Sequence, residues 1–237
     1  MMEEKERFEE FEMVEKTVEE LKKLWEENED DVSKEVIYWD EAFSFFLSLP
    51  LPEISPFLLE KTSNKFLKEF DWKKFKKRGY LSTDLGIFIF SFLKKNIENH
   101  ASSQKRKGIR EKDIEPIEVH LKVEELPVRL GYLGYQNPEK LHLIVEGSCG
   151  NDTGCEMQGG KIIVKGDCGD WTGEYMRGGE LIVKGRVEYF HLSAFSPSNQ
   201  GIITLGGIEI WKNGSWTKEG EKMWERGEIP IEWAGKN

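Results

Sequence analysis

The pattern of apolar and polar positions divides the chain into two parts with different periods. Apolar residues recur at helical spacing in the first part, which opens with an acidic helix over 3–29. The apolar seam of that helix consists of Phe11, Val14, Val18, Leu21 and Trp25. From Ile117 the period changes to two, because apolar residues alternate with charged ones as far as Glu124. The pattern predicts an α-helical domain over 1–113 and a β domain over 114–237.

Capping residues and prolines set the expected bounds of the other helices. Asp31–Ser33 is expected to break the first helix, and Ser33 to cap a second one through about Leu47. The proline-rich stretch 50–56 ends that helix, and Ser55 and Pro56 begin the next. Asp71 is expected to cap a short basic helix over 72–78. Ser82 is expected to open an apolar helix through Asn99.

Three helical segments admit more than one interpretation. The seam of the first helix predicts docking on its own domain, and pairing with a second copy stays open. Residues 72–93 have the outline of a DNA-binding helix-turn-helix, but the second helix is apolar where a groove-facing helix must be polar. We therefore expect a buried core helix there. The basic segment 104–112 is expected to be a solvated linker.

The β domain contains two consecutive copies of one 19-residue repeat. The first copy, from Cys149 to Asp167, reads CGNDTGCEMQGGKIIVKGD, and the second, from Cys168 to Arg186, reads CGDWTGEYMRGGELIVKGR. The shared positions that define the repeat are Cys149, Gly150, Gly154, Met157, Gly159, Gly160 and Gly166 in the first copy, and Cys168, Gly169, Gly173, Met176, Gly178, Gly179 and Gly185 in the second. The β-branched run in each copy is too short to bury its apolar face alone, so the copies must stack. The repeat predicts a short right-handed parallel β-helix.

The segments on either side extend the same pattern. Residues 141–147 form a degenerate copy of the repeat. Residues 201–206 are expected to be the next strand, after a two-residue insertion. The strand that begins at Ile117 is expected to pair with the first coil. Residues 208–218 predict a hairpin with an Asn213-Gly214 turn. This tail and its tryptophans should cap one open end of the coil, and the helical half the other. The predicted fold class is α+β.

The motif GxxxGxxMxGGxIxVxG, present in both copies, resembles the GxGxG repeat family. That family forms the C-terminal domain of the large chain of glutamate synthase and most of one chain of formylmethanofuran dehydrogenase. The resemblance covers about a third of this sequence. It implies a right-handed β-helix that serves as a scaffold between catalytic parts and carries no catalytic side chain.

Composition excludes several classes of protein. The formal net charge of −10 argues against nucleic acid as a partner, because phosphate binding needs positive charge. Three cysteines in a long chain do not form a secreted disulfide framework. No signal peptide or membrane-length apolar stretch is evident, so a cytoplasmic location is expected. Abundant lysine and glutamate with few glutamines indicate a thermophilic source.

Candidate chemistry is sparse. Cys149 and Cys168 share a repeat position and could form a buried ladder, a disulfide or, with Cys155, part of a metal site. The buried ladder is favoured, because a free cysteine behaves as a small apolar residue. A metal site is disfavoured, because Cys155 falls six residues further round the coil. Asp152, Asp167 and Asp170 do not share one column, so solvated turn aspartates are expected rather than an acid pair. The Gly159–Lys161 segment precedes a strand and is not a phosphate loop.

The histidines do not suggest a catalytic arrangement. The histidines are scattered along the sequence, with no serine or cysteine partner in a recognisable catalytic arrangement. They are His100, His120, His142 and His191. We expect no active site, no metal and no flavin, iron–sulfur or molybdopterin cofactor. The expected function is a non-catalytic scaffold or protein-interaction module, bound to a partner protein or to itself as a homo-oligomer. The alternatives are an accessory subunit of a redox or amidotransfer complex and, less favoured, a free-standing enzyme that uses the groove between the two halves.

Overall fold

Helices come first along the chain and strands second. The computed structural model describes residues 2–35, 39–72 and 81–232. Its helices are α1 (Met2–Glu35), α2 (Trp39–Ser48), α3 (Leu59–Glu69), α4 (Leu81–Arg106) and α5 (Lys218–Glu225). Its strands are β1 (Ile117–Lys122), β2 (Leu141–Glu146), β3 (Lys161–Val164), β4 (Glu180–Val183), β5 (Phe190–His191), β6 (Ile202–Leu205), β7 (Ile208–Lys212), β8 (Ser215–Trp216) and β9 (Ile231–Glu232). The α+β class is confirmed.

Three of the predicted helix bounds are wrong. Helix α4 ends at Arg106 rather than Asn99, so the first three residues of the predicted linker 104–112 are helical. Helix α1 continues through Asp31–Ser33 to Glu35, and α2 begins at Trp39 rather than after Ser33. Aspartate and serine weaken a helix by well under about 1 kcal/mol each, and no glycine or proline stands there to end it. Ser55 occupies a cap position before the 3-10 turn Pro56–Leu58, but its side chain makes no capping hydrogen bond. The basic helix predicted over 72–78 lies, beyond Trp72, outside the described residues.

The helical half has an aromatic core. Trp25 of α1 contacts the rings of Phe46, Phe70 and Phe88 at centroid distances of 6.2, 5.8 and 5.4 Å. The seam of α1 is buried from Val14 onward, which confirms that it docks on its own domain. The apolar residues of α4 between Leu85 and Leu93 are fully buried, as a core helix requires. That face of α4 therefore cannot read a DNA groove.

Parallel strands stack into a solenoid of about four turns. The order is β1-β2-β3-β4-β6, and the register aligns His142, Lys161 and Glu180 at the 19-residue period. On the outer face Lys161 Nζ lies 2.5 Å from Glu180 Oε2. The next pair aligns Glu180 with Ile202, so the insertion is three residues rather than the predicted two.

Helices α3 and α4 cover the first coil. The Asn64 amide pairs with the outer edge of β1, because its Nδ2 donates to the His120 carbonyl and its Oδ1 accepts the Lys122 N–H, both at 2.7 Å. Helix α4 lies against the segment 131–136. A Cβ on Gly86 would stand 1.9 Å from the Gly131 oxygen, so only glycine permits this approach. The predicted N-terminal cap is confirmed.

The last coil is covered by a hairpin and a short helix. Strand β7 pairs antiparallel with β6 and with β8, and Asn213 and Gly214 take φ of 48° and 80° in the predicted tight turn. Trp216 stacks between Phe195, at 4.4 Å, and Trp224, at 5.7 Å. Helix α5, which was not among the predicted elements, packs on β7. The tail thus caps the coil as expected.

Candidate functional site

One corner of the solenoid is built from three stacked turns, 131–136, 151–156 and 170–175. Each turn holds two non-glycine residues at positive φ, a conformation that costs an L-residue of the order of 1 kcal/mol. The six residues are Tyr132, Gln136, Asp152, Glu156, Trp171 and Tyr175. Hydrogen bonds between coils hold these turns in place, such as Tyr132 N to Asn151 O at 2.9 Å. This corner therefore presents unusual backbone together with polar side chains.

Three side chains with metal-type ligand atoms converge at this corner. One atom each from Asp152, Cys155 and Glu174 lies within 4.8 Å of the other two. Cys155 follows Asp152 in the same turn, where its N–H donates to the Asp152 carbonyl at 3.1 Å. Glu174 lies on the next coil, one period after Cys155, with its Oε2 3.8 Å from the Cys155 sulfur. We call these three residues the corner cluster.

Burial dominates the electrostatics of the corner cluster. Asp152 is 3% exposed, and its burial, reinforced by the negative charge of Glu174, raises the pKa of its carboxyl to about 8. A hydrogen bond with Tyr132 opposes this rise. The other carboxylate oxygen, Oδ1, has no hydrogen-bond partner. The Asp152 carboxyl is therefore protonated at neutral pH unless a positively charged group or ion lies beside it.

His191 lies beside the Glu174 oxygen that does not face Cys155. Its Nε2 lies 3.5 Å from Glu174 Oε1, while its Nδ1 lies 2.7 Å from the Ser193 hydroxyl and accepts the Ser193 N–H. Because Nδ1 is an acceptor, the neutral ring carries its proton on Nε2, the nitrogen that faces Glu174. His191 thus has a serine neighbour two residues along the chain.

Ser193 is nevertheless not placed as a nucleophile. Its hydroxyl oxygen also accepts the Tyr175 N–H at 2.6 Å, so both sides of the hydroxyl are engaged. His191 and Ser193 flank the start of a 3-10 turn at Leu192–Phe195, where this contact satisfies a backbone N–H. The pair fixes the orientation of the imidazole, so that its Nε2 faces Glu174.

A second polar group lies where α4 meets the same corner. Lys94 is 7% exposed, and its Nζ donates to the Gln136 carbonyl at 2.9 Å. The Gln136 side chain in turn donates to Glu156 at 2.9 Å. Burial lowers the pKa of the Lys94 ammonium, and Glu98 at 3.6 Å partly offsets this. Lys94 thereby ties the helical half to the solenoid.

The two cysteines at one repeat position form the predicted ladder. Cys149 and Cys168 are both fully buried, and their thiols are in hydrogen-bond contact. Burial raises the pKa of Cys168, with the contact to Cys149 adding to the rise. None of the three cysteines, all within the described residues, forms a disulfide. The pair is inert, small and apolar in character.

The three aspartates have three different environments. Asp167 accepts the Arg186 N–H at 2.8 Å, as its repeat position predicts. Asp170 is half-buried with one carboxylate oxygen unpaired. Asp152 is buried, so the expectation of a solvated turn aspartate is wrong there. Gly159–Lys161 leads into β3, in agreement with its exclusion as a phosphate loop.

An exposed apolar patch lies beside the corner cluster. It consists of Trp171, Tyr175, Tyr189 and Leu192, which are 43, 55, 47 and 37% exposed. Tyr189 stands next to Trp171 because Thr172 and Phe190, the residues after them, pair across the coils. Tyr175 contacts the His191 ring at 5.5 Å. We call these four residues the aromatic corner.

The sequence contains one signal for the corner cluster. The gapless alignment of the two repeats places Cys155 opposite Glu174, so their contact follows from the period alone. The alignment does not place Asp152 beside them, because Asp152 reaches Cys155 only through the bend of the turn. The support from His191 depends on the irregular coil after Arg186.

The fold and this corner define an α+β protein built on a short parallel β-solenoid with capped ends. A scan of protein-family models, a search of curated proteins and a search of solved structures found no match for the chain. The resemblance to the GxGxG repeat family therefore rests on the repeat itself and stays a prediction. Among the described residues, no helix is long and apolar enough to cross a membrane.

Proposed function

We propose that this protein is a non-catalytic scaffold that binds a partner protein at the aromatic corner. The observation that carries the proposal is that four large side chains, Trp171, Tyr175, Tyr189 and Leu192, are exposed on two successive coils at one corner. Single exposed apolar residues are ordinary, but several of them grouped in one region mark an interaction surface. Tyrosine and tryptophan are also among the residues most enriched at the energetic centre of protein interfaces.

The charges around this patch indicate the chemistry of the partner. Trp171 Nε1 donates to Glu232 at 3.1 Å, and Asp170 and Glu188 lie close by. Burial raises the pKa of Asp170, and the negative charges of Glu188 and Glu232 raise it further. An acidic rim around exposed rings favours lysine and arginine, which can pair with the carboxylates and lie over the aromatic faces. We therefore propose a partner segment rich in basic residues.

Comparative affinity purification tests the proposal. The wild-type chain and a Trp171→Ala/Tyr189→Ala variant are purified with bound proteins from cells of the source organism, with Phe57→Ala as control. Phe57 is 77% exposed and lies in the helical half. A protein retained by the wild type and the control but lost with the corner variant is then purified. Its direct binding is measured at two salt concentrations, and we expect weaker binding at the higher one.

Equal recovery of every protein by the wild type and the corner variant would exclude this surface as the binding site. Residues 233–237 follow Glu232 at this corner and lie outside the described residues. A variant that ends at Glu232 is expected to bind the partner as the wild type does. If the partner is a flavin, iron–sulfur or molybdopterin enzyme, the scaffold is an accessory subunit, as the repeat resemblance implies.

A further inference from the structure

We propose that Asp152, Cys155 and Glu174 bind one divalent metal ion of the zinc type. The proposal is independent of the partner surface, since an ion could occupy this site in a scaffold or in an enzyme subunit. It departs from the sequence-based expectation of no metal. That expectation considered only convergence of Cys149, Cys155 and Cys168, whereas the fold brings Cys155 to two carboxylates instead.

The spacing of the three ligand atoms suits a metal after a small contraction. Zinc binds carboxylate oxygen and thiolate sulfur at about 2.0–2.3 Å, which places tetrahedral ligands about 3.5 Å apart. The atoms of the corner cluster already lie within 4.8 Å of one another. The remaining difference is about 1 Å, a shift that rotation about side-chain bonds can supply.

The unpaired oxygen of Asp152 is a second, independent sign of a missing ligand. Tyr132 hydrogen-bonds the Asp152 carboxylate, yet Oδ1 has no partner although the residue is only 3% exposed. Buried polar atoms are nearly always paired, because an unpaired one loses its hydrogen bonds to water without replacement. A cation beside Oδ1 would satisfy it and would neutralise the adjacent Glu174.

The donor set selects the kind of ion. Calcium and magnesium bind through oxygen atoms alone, whereas a thiolate favours zinc and softer metals. Three protein ligands leave one position of a zinc tetrahedron to water. Glu174 Oε2 faces Cys155, and Oε1 faces His191, so the histidine leaves one oxygen for the ion. A polar group that contacts a ligand on its outer side, as His191 contacts Glu174, is typical of metal sites.

The alternative to a bound metal ion is a proton on the Asp152 carboxyl. A protonated Asp152 could sit beside Cys155 and Glu174 with no ion bound, and the corner would then be a neutral structural element. A titration with the metal alone distinguishes the two. Chelator-treated protein is titrated with Zn²⁺ against a chromophoric chelator, and with Co²⁺ while the thiolate-to-cobalt absorption is recorded.

We expect one ion per chain and a thiolate-to-cobalt band in the wild type. Cys155→Ala should lose the band, and Asp152→Asn and Glu174→Gln should weaken zinc binding by about tenfold or more. Cys149→Ala is the matched control, because Cys149 is equally buried but lies outside the corner cluster, and it should keep both signals. His191→Ala should weaken binding while the band remains.

Three outcomes would overturn the proposal. They are no thiolate-to-cobalt band in the wild type, equal zinc affinity of the wild type and Cys155→Ala, or equal loss in Cys149→Ala. Circular dichroism verifies that each variant is folded. If a variant fails to fold, the wild-type cobalt spectrum still decides, since a cobalt complex without thiolate absorption excludes Cys155 as a ligand. None of these outcomes bears on partner binding at Trp171.

Discussion

Gly159 and Gly178 exclude a side chain through the close approach of the previous coil alone, whereas the glycines that follow them combine such an approach with a left-handed φ. Gly160 and Gly179 have φ of 64° and 82°, the left-handed region that disfavours other residues. Gly159 and Gly178 have no such φ, but the previous coil passes close to them. A Cβ on Gly178 would stand 2.7 Å from the Gln158 oxygen, and one on Gly159 would stand 3.1 Å from the Glu139 Cα.

The shorter contact at Gly178 predicts that alanine destabilises the protein more at position 178 than at position 159. Gly178→Ala should lower the free energy of unfolding by about 1–3 kcal/mol, the usual range for overpacking, because a backbone oxygen must move. Gly159→Ala, at the equivalent repeat position, should lower it by less, since its contact is longer. Urea denaturation at constant m-value measures both. Equal effects, or no effect of Gly178→Ala, would contradict the close approach of the coils at this position.

Asp84 of α4 is a buried carboxyl whose ionisation opposes folding. It is 6% exposed, and burial raises its pKa from 3.8 to about 6. The folded state therefore holds this proton more tightly than the unfolded state does. The contribution of Asp84 to stability is most favourable below pH 3.8, decreases as the pH rises toward 6, and is constant above that.

Asp84→Asn should remove this pH dependence. The stability difference between variant and wild type should be near zero below about pH 4 and should grow to at most about 3 kcal/mol in favour of the variant above about pH 6. Chemical denaturation across this pH range gives the difference directly. Glu115→Gln, which removes an exposed carboxylate, is the control and should show no such rise. A constant difference for Asp84→Asn would mean that its pKa is ordinary.

At the scale of elements, Asn64 of α3 completes the edge of the solenoid. Its amide group pairs with the backbone of β1 as a neighbouring strand would, and Glu60 Oε2 accepts the His120 N–H at 3.2 Å. An exposed strand edge invites pairing with other chains, so this contact also protects the protein from aggregation. The helical half therefore stabilises the first coil through specific hydrogen bonds as well as apolar contact.

Asn64→Ala should destabilise the first coil more than the rest. Two hydrogen bonds to the backbone of β1 are lost, which should lower the free energy of unfolding by about 1–3 kcal/mol. Hydrogen exchange should accelerate at the Lys122 amide, whose N–H donates to Asn64 Oδ1. Asn99→Ala, which removes only an exposed bond to Glu53, is the control. Unchanged exchange at Lys122 would contradict the capping role.

The elements within the repeat could be predicted from the sequence, whereas several elements outside it could not. The 19-residue period determined the register of β2, β3 and β4, because in-register stacking is set by the sequence itself. The break at Asp31–Ser33 was wrong because weak helix formers do not end a helix that packing supports. The three-residue insertion before β6 was misjudged because the coil after Arg186 leaves the repeat. Helix α5 is only eight residues long, and its N-cap Thr217 falls within the predicted hairpin.

At the scale of the whole molecule, the two proposed sites lie where the repeat is imperfect. The two copies diverge at Asp152 and Trp171, and again at Cys155 and Glu174, while their glycines are shared. Shared positions build the coil, and the differing positions form the corner cluster and the aromatic corner. A search for chemistry among the shared residues therefore finds structural residues such as Cys149 and Cys168. The informative positions are those at which stacked residues differ.

The first turns of α1 predict how copies of the molecule associate. Residues 6–13 are all exposed, and Val14 is the first buried residue of the seam. Phe8 and Phe11 are each 60% exposed and lie three residues apart, so they share one face of the helix. Burying both rings against a symmetry-related helix would continue the seam across a two-fold axis. We therefore expect a homodimer through the α1 ends.

Light scattering at micromolar concentration should show this dimer. Phe8→Ser/Phe11→Ser should convert it to a monomer without changing the thermal stability of the core, because both rings are largely exposed. Phe57→Ser, which removes an even more exposed ring at 77% exposure, should leave the dimer intact. Because the α1 end is rich in glutamate, added salt should screen the repulsion between copies and strengthen the dimer. A strict monomer of the wild-type protein at all salt concentrations would exclude association through α1.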